Sequence, residues 1–324
     1  MCIRDRWNAG RFILMNLEPD LLTKLPYCAP PRGEDLWIIT KLNRAIEKVN
    51  KALSEYEFSE ATKELYEFIW SEFCDWYIEF SKLRLYAKAD ESLPEEERKA
   101  QEEAINKEKI TVQATLLNVF ERTLRLLHPF MPFITEELWL ELPTAYRESV
   151  SLADYPQYNP SEVYEEAERK VERLKEIISA IRSLRSDLRI EPSRKIRLYY
   201  KAGESKGLVQ EFMPHILNLA RLESFQEVQT EPPNCVAGFS RDFEFYLPIE
   251  EGVKVQELIN SYSKRLSEIE KSLQGFQQKL SNENFLRRAP EEEINKAKET
   301  LEELQEEKQK VETLLSLLRR LNMH

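Results

Sequence analysis

The sequence predicts a mainly α-helical protein that contains a helical bundle, a small α+β unit and a C-terminal antiparallel two-helix coiled coil. Charged residues make up 32% of the 324 residues and glycine occurs only 7 times, which is typical of long solvated helices. Apolar residues recur every three or four positions through the first half of the chain, and two heptad runs fall between residues 262 and 318.

The first half of the chain predicts a bundle, because each of its helices has a single apolar stripe that must pack on a neighbour. We expect helices at 35–54, from about 59 onwards, at 107–127 and at 133–142. The acidic stretch 89–106 is interrupted by Pro94, and we interpret it as an exposed loop with a charged helix start.

The middle of the chain changes character after a long helix. Asn159 followed by Pro160 and Glu162 has the form of a helix N-cap, which predicts a helix from there to about Leu188. The predicted strands are 195–201, 224–230, 235–238 and 243–248, with a helix at 208–220. We therefore divide the chain into a bundle (1–158), a helix with a small α+β unit (159–252) and a coiled-coil arm (253–324).

The arm is predicted from its heptads. The apolar positions of the two runs are Tyr262, Leu266, Ile269, Leu273, Phe276 and Leu280, then Ile294, Ala297, Leu301, Leu304, Val311, Leu315 and Leu318. Only Lys308 departs from the pattern. The short connection makes the two helices antiparallel neighbours, and each would reach roughly 40 Å at about 1.5 Å per residue.

The charge distribution leaves two interpretations open. A net charge of −11 argues against a nucleic-acid partner. The segment 169–201, however, holds eleven basic and four acidic residues, which favours a polyanion-binding surface. The alternative is a solvated basic helix face that pairs with acids elsewhere.

Several classes of function lack support in the sequence. The four cysteines are scattered and there are three histidines, so we expect neither a zinc site nor a disulfide scaffold. No Ser/His/Asp set, phosphate loop or carboxylate pair stands out. No apolar run of 18 residues and no signal-peptide pattern occurs. We expect a cytoplasmic protein without a metal or a membrane partner.

Four motifs resemble class I aminoacyl-tRNA synthetases, and specifically the valine–tRNA ligase (valyl-tRNA synthetase) family. WNAGRFILMN at 7–16 resembles the helix that opens their anticodon-binding domain. HPFMPFITEELW at 128–139 is similar to a motif shared with the leucine, isoleucine and methionine enzymes. IRSLRSDL at 181–188, with PSRK at 192–195, resembles a later helix and strand. LSNENF at 280–285, with Ala289-Pro290, is similar to the tip of their coiled coil and is the most specific match.

The resemblance implies a tRNA-binding part of such a ligase, comprising an anticodon-binding bundle and a coiled-coil arm. Its expected partners are tRNA(Val) and an N-terminal catalytic domain that uses ATP with Mg²⁺, and we expect a monomer. The HIGH and KMSKS motifs and an editing domain are absent from the sequence. We therefore expect no catalytic residue and no aminoacylation by this chain alone. Residues 1–6 do not match the family, and we interpret them as foreign.

The resemblance places the anticodon site on the first helix. The predicted residues are Asn8, Arg11, Phe12 and Asn16, whose spacing lets them share one helix face. An aromatic ring beside an arginine suits a splayed base, which stacks on such groups in RNA recognition. The alternative is that Phe12 belongs to the bundle core and Arg11 is a surface cation.

Two further basic groups are candidates for tRNA contact. The predicted phosphate-binding residues are Arg182, Arg185, Arg189, Arg194 and Lys195. The predicted arm residues are Lys264, Arg265, Lys271, Lys279, Arg287 and Arg288; the resemblance implies that the arm leans on the outer corner of the tRNA, where the D and T loops meet. Helix-surface salt bridges and a solvated coiled coil are the respective alternatives. A non-enzymatic coiled-coil adaptor for protein partners also stays open, supported by the net charge.

Overall fold

A computed structural model describes most of the chain. The described residues are 3–143, 149–201, 203–241, 243–248, 255–281, 298, 300–302, 304–305, 308–309, 311–313, 315–316 and 318–319, with only the backbone described for 3–8. The chain forms two compact units, residues 1–175 and 176–324. The mainly α class is confirmed, whereas the domain boundaries at 158 and 252 stay predictions.

The elements of the chain are as follows. The helices are α1 (Ile3–Asn16), α2 (Leu21–Lys24), α3 (Gly33–Ser54), α4 (Phe58–Glu67), α5 (Ile78–Leu85), α6 (Glu95–Leu127), α7 (Pro132–Leu140), α8 (Glu165–Asp187), α9 (Lys206–Glu211), α10 (Met213–Leu219) and α11 (Val255–Ser281). The strands are β1 (Ile196–Lys201), β2 (Leu222–Glu227), β3 (Cys235–Ser240) and β4 (Phe243–Pro248). A π-helix (Phe68–Tyr77) joins α4 to α5, and short 3-10 turns form at Leu25–Tyr27, Val150–Leu152, Pro160–Glu162 and Gly203–Ser205.

Helix α6 begins twelve residues earlier than its apolar stripe predicted, so the predicted loop at 89–106 is wrong from Glu95 onwards. Pro94 immediately precedes the helix, and three glutamates at 95–97 occupy its first turn. Their negative charges face the positive end of the helix dipole. Lys99 also pairs with Glu95, with an Nζ–Oε1 distance of 2.7 Å. Backbone electrostatics therefore stabilise a first half of α6 that buries little apolar surface.

The long helix predicted from residue 59 contains a ten-residue π-helix. Its wider turn brings Phe68 and Phe73, which are five residues apart, onto one side of the helix. The rings of Phe68 and Phe73 stack with centroids 6.3 Å apart, and those of Phe73 and Tyr77 lie 6.2 Å apart. All three rings are buried. The π-helix thus lines up a row of aromatic rings in the core of the first unit.

The helix predicted from Asn159 begins later, at Glu165. The Asn159 side chain does accept a hydrogen bond from the Ser161 amide at 3.1 Å, but it caps the 3-10 turn Pro160–Glu162. Asn43 of α3 donates to the Asn159 carbonyl at 2.6 Å and accepts from its amide at 2.9 Å. Asn159 is therefore fixed to the bundle, which explains why the chain turns here before the helix starts.

A buried ionic network joins α3, α5 and α6. The Arg84 guanidinium lies 2.7 Å from Asp35, 3.3 Å from Glu34 and 2.9 Å from Glu108. The Tyr77 hydroxyl donates to the other Asp35 oxygen at 2.7 Å. Burial raises the pKa of Glu34, and the neighbouring Asp35 charge raises it further. A charge held in this way needs its partners, because a buried ion without compensation is strongly destabilising.

The second unit contains a four-stranded sheet of order β2-β1-β4-β3. Strands β1 and β2 are parallel, and the other two pairings are antiparallel. The predicted strand 243–248 is confirmed, whereas β2 begins two residues earlier and β3 ends two residues later than predicted. The predicted helix 208–220 is divided into α9 and α10 at Phe212, since Pro214 lacks the amide that a continuous helix needs.

The C-terminal helices pack through their heptad positions. Ile269 and Leu273 of α11 form a buried core with Val311 and Leu315. Lys308, the residue that departs from the heptad pattern, pairs with Glu270 at 3.0 Å. Its charge is therefore compensated across the helix pair. The predicted tip, including Arg287 and Arg288, lies outside the described residues.

Among the described residues, no helix has the length and apolar character that crossing a membrane requires. The same residues contain no group of three or more His, Cys, Asp or Glu side chains placed to hold a metal ion.

Replacing Arg84 with methionine should lower the free energy of unfolding by about 3–5 kcal/mol, because Asp35 and Glu34 then lose their buried partner. Urea unfolding monitored by circular dichroism measures this change. Arg98→Met is the matched control, since Arg98 makes only an exposed pair with Glu102 at 3.8 Å, which contributes less than about 1 kcal/mol. Equal losses in the two variants would contradict the role of the network.

Glu18 should make the free energy of unfolding depend on pH below 4.5, the ordinary pKa of its carboxyl group. Hydrogen bonds from Lys24 and then Lys109 lower the pKa of Glu18 from 4.5 to about 2. Its charged form therefore stabilises the fold above pH 4.5, and this contribution is lost as the pH falls towards 2. The difference in unfolding free energy between the wild type and Glu18→Gln should shrink across that window in urea titrations. A constant difference would show that these ion pairs contribute nothing.

Candidate nucleic-acid interface

A glycine sets the position of α1 against α6 and α7. Gly10 is buried, and a Cβ atom at this position would lie 2.9 Å from Leu138 Cδ2 and 3.1 Å from Phe120 Cζ. A larger residue would therefore require the Leu138 and Phe120 side chains to shift. Ile13, on the same side of α1, is fully buried. The close approach leaves Arg11 and Met15 on the exposed side of the helix.

Arg11 and Phe12 have different surroundings. Arg11 is exposed and lines a surface cleft together with residues of α7. Phe12 is half-buried, and the Lys82 ammonium lies 5.5 Å from the centre of its ring. The two side chains therefore do not act as one surface, in contrast to the predicted common face. Phe12 is a partly exposed ring with a cation beside it, which combines the groups that stack on a base and attract a phosphate.

Lys82 is a candidate that the sequence interpretation missed. It belongs to α5, seventy positions away from Phe12, and it also pairs with Glu79 at 2.5 Å. No local motif marks it, because its proximity to Phe12 arises only when α1 and α5 pack in the bundle. The distance between the Phe12 ring and the Lys82 ammonium therefore depends on the folding of the first unit.

The predicted anticodon site includes two asparagines on α1, Asn8 and Asn16. The side-chain amide of Asn16 donates to the backbone carbonyl of Phe12 at 2.8 Å. The backbone carbonyl of Asn16 accepts from the side-chain amide of Gln113 at 2.6 Å. Asn16 therefore closes the end of α1 and anchors it to α6. Asn8 lies within α1, and its side chain is outside the described residues.

Arg185, one of the predicted phosphate-binding residues, is buried with 6% of its surface exposed. Its guanidinium donates to the carbonyls of Arg221 at 3.0 Å, Glu191 at 3.2 Å and Arg194 at 2.6 Å. Burial, followed by the charge of Arg221, lowers its pKa. Its donors serve carbonyls between α8 and β1 and the Arg221 carbonyl just before β2, so Arg185 has a structural role that leaves little for a phosphate.

The other predicted phosphate-binding residues are exposed at the surface of the second unit. Arg182 lies on α8 and donates through Nε to the Leu219 carbonyl at 3.0 Å. Arg189 follows the end of α8 in a left-handed conformation, with φ 52°, and donates to the Ser261 hydroxyl. Arg194 and Lys195 precede β1. The four exposed cations therefore belong to the last part of α8 and to the segment between α8 and β1.

Four of the predicted arm residues are described by the structure, and all four are exposed. Lys264, Lys271 and Lys279 lie on the outer surface of α11, as does Arg265, which is 3.7 Å from Glu268. The buried positions of this helix are Leu258, Ile269 and Leu273. The arm therefore keeps its cations in solvent and its apolar residues in the helix pair.

Comparisons with known proteins confirm the resemblance that the motifs indicated. Residues 35–200 match the family model described as the anticodon-binding domain of tRNA ligase. Residues 254–319 match the model described as the valyl tRNA synthetase tRNA binding arm. The first match covers about half of the chain, and the second coincides with the helix pair.

Similar curated proteins carry the name valine–tRNA ligase. That of Aquifex aeolicus is 53% identical over 315 residues, which are 97% of this chain and 27% of that protein. Those of Petrotoga mobilis and Geobacillus stearothermophilus are 33% and 34% identical, over 95% and 97% of this chain and 34% of each relative. The chain thus spans about a quarter to a third of the length of these relatives. It belongs to the family of the anticodon-binding domain of tRNA ligases, and its C-terminal part matches the tRNA-binding arm of valyl-tRNA synthetases.

Proposed function

We propose that this chain is the tRNA-binding part of a valine–tRNA ligase and that it holds tRNA(Val) for attachment of valine. The observation that carries the proposal is the presence in one chain of both family matches, at 35–200 and 254–319. The ATP and Mg²⁺ for the reaction would be used by a catalytic domain, which this sequence does not contain. The protein would act in the cytoplasm as a monomer.

The described surfaces support different roles for the two units in tRNA binding. Phe12, with Lys82 beside it, offers a ring for stacking in the first unit. In the second unit, the exposed cations around the end of α8 and along α11 offer charge to phosphates. Phosphate contacts give affinity and position the RNA, whereas base contacts specify its sequence. The two family matches support tRNA binding over the protein-interaction adaptor, which the net charge alone had favoured.

Binding of tRNA(Val) should weaken log-linearly with salt, since each phosphate contact releases counterions. A variant with Arg182, Arg189, Arg194 and Lys195 changed to alanine should lower that slope by roughly 3, at about 0.7–0.9 per contact. Fluorescence anisotropy over a salt series measures both slopes. Lys99→Ala, in the acidic start of α6, is the matched control and should leave the slope unchanged. An unchanged slope in the quadruple variant would remove these residues from the interface.

Phe12→Leu should weaken binding of an RNA hairpin with the anticodon loop of tRNA(Val) by roughly 5- to 150-fold, because one stacked base contributes about 1–3 kcal/mol. Leucine preserves the apolar contact that the half-buried ring makes with the bundle. The matched control is Phe239→Leu, which removes an exposed ring from β3 in the second unit. Circular dichroism checks that both variants fold. Similar affinities for the two variants would exclude Phe12 as a stacking residue.

A further inference from the structure

Two neighbouring residues near the start of the arm are hydrogen-bonded to the end of α8. The Tyr262 hydroxyl donates to the carbonyl of Asp187, the last residue of α8. The Ser261 hydroxyl accepts from the Arg189 guanidinium. We propose that these four residues form a joint that fixes the direction of the arm, and that Arg189 and Tyr262 are positioning residues for tRNA binding. The proposal rests on the proposed function, since it takes the arm to be a tRNA-binding surface.

The end of α8 has a conformation that usually belongs to glycine. The Arg189 amide donates to the Ser186 carbonyl at 2.9 Å, and the next amide, of Ile190, donates to the Arg185 carbonyl at 2.9 Å. This is the Schellman pattern of a helix C-terminus. Arg189 occupies its left-handed position, with φ 52°, where glycine has no steric cost and a residue with a Cβ atom does. The contact of the side chain with the arm gives a reason for an arginine here.

Tyr262 satisfies a carbonyl that the helix itself leaves open. The last carbonyls of a helix have no amide partner within it, and the phenol supplies a donor to that of Asp187. Burial, and then the negative charge of Asp187, raises the pKa of Tyr262, so its hydroxyl keeps its proton at neutral pH. Its ring packs against the core of the helix pair, which contains Ile269 and Leu273. One side chain thus links the core of the arm to the end of α8.

The joint lies at the start of a long lever. From Ser261 to Ser281, where α11 ends, the helix extends about 30 Å at about 1.5 Å per residue. A rotation of about 10° at the joint would therefore move the far end by about 5 Å, which exceeds the length of a hydrogen bond to a phosphate. Lys264, Lys271 and Lys279 are exposed along this length. The phosphates that they reach thus depend on the angle that the joint sets.

Arg189 also connects the arm to a bound phosphate. Its side chain is exposed, and a guanidinium carries five N–H groups, so one that donates to Ser261 can also contact a phosphate. Because these donors have a fixed planar geometry, a phosphate would hold the guanidinium in the orientation that reaches Ser261. Phosphate binding at the end of α8 and the direction of the arm therefore favour each other, since coupling between two sites is reciprocal.

The first measurement uses the intact chain without RNA. Spin labels attached through p-acetylphenylalanine in place of Gln274 on α11 and Glu223 on β2, both exposed, report the distance between arm and sheet by pulsed electron paramagnetic resonance. Wild type should give one narrow distribution. Ser261→Ala combined with Tyr262→Phe should broaden it, because both hydroxyls are lost while the ring and the Arg189 charge remain.

Arg189→Gly separates the joint from the helix cap. Glycine suits the left-handed position at the end of α8, so the midpoint of thermal unfolding should not fall. The distance distribution should nevertheless broaden, because the contact with Ser261 is lost. A purely structural role for Arg189 predicts the reverse, with a lower midpoint and an unchanged distribution.

The second measurement is binding of tRNA(Val). The double variant should bind roughly 5- to 150-fold more weakly than wild type, the usual range for coupling between two sites. A hairpin with the anticodon loop alone should bind both proteins equally, since it lacks the corner that the arm is expected to contact. Ser272→Ala with Tyr66→Phe is the matched control. It removes an exposed hydroxyl that donates within α11 to the Glu268 carbonyl at 3.1 Å, and one on α4.

The outcomes distinguish this proposal from the one it rests on. A broader distribution and weaker tRNA(Val) binding in the double variant, with the control unchanged, support the joint. An unchanged distribution, or a broader one with unchanged tRNA(Val) affinity, overturns it and leaves tRNA binding intact. Failure of the wild-type chain to bind tRNA(Val) overturns the proposed function and the role of the joint in tRNA binding, whereas the RNA-free distances still decide whether the joint holds the arm.

Discussion

The first unit depends on a buried arginine. Arg84 holds the start of α3 against α5 and α6 through Asp35, Glu34 and Glu108. Asp35 also accepts from the Arg32 amide at 2.9 Å, so the same carboxylate caps α3. Three helices are thus placed by charges that cannot move independently, because each one would be left unpaired in the core.

Patterns of apolar residues predicted the elements whose stability comes from one face. The heptads of α11 placed Ile269 and Leu273 correctly in the helix-pair core, and the strand predicted at 243–248 has the bounds of β4. The start of α6 was missed, since that segment is stabilised by charge and dipole and has no stripe to detect. The π-helix was missed because its register depends on rings that stack in the folded core.

In the candidate site too, local patterns predicted some residues, whereas others depend on tertiary packing. The exposure of Arg11 and the ring of Phe12 agree with the motif on α1, but Lys82 reaches that ring only through tertiary packing. Counting charges placed Arg185 among the phosphate-binding residues, because a count does not show that three carbonyls surround its guanidinium.

The π-helix between α4 and α5 also limits how this segment can change during evolution. Successive residues of a helix are rotated by about 100°, so the ten residues from Phe68 to Tyr77 set the angle at which α5 leaves α4. A one-residue deletion there would turn every later side chain of α5 by a comparable angle and carry Arg84 away from Asp35. Insertions and deletions in homologous genes should therefore be rare between α4 and α5 and more frequent at 86–94, where the chain has no helical phase to preserve.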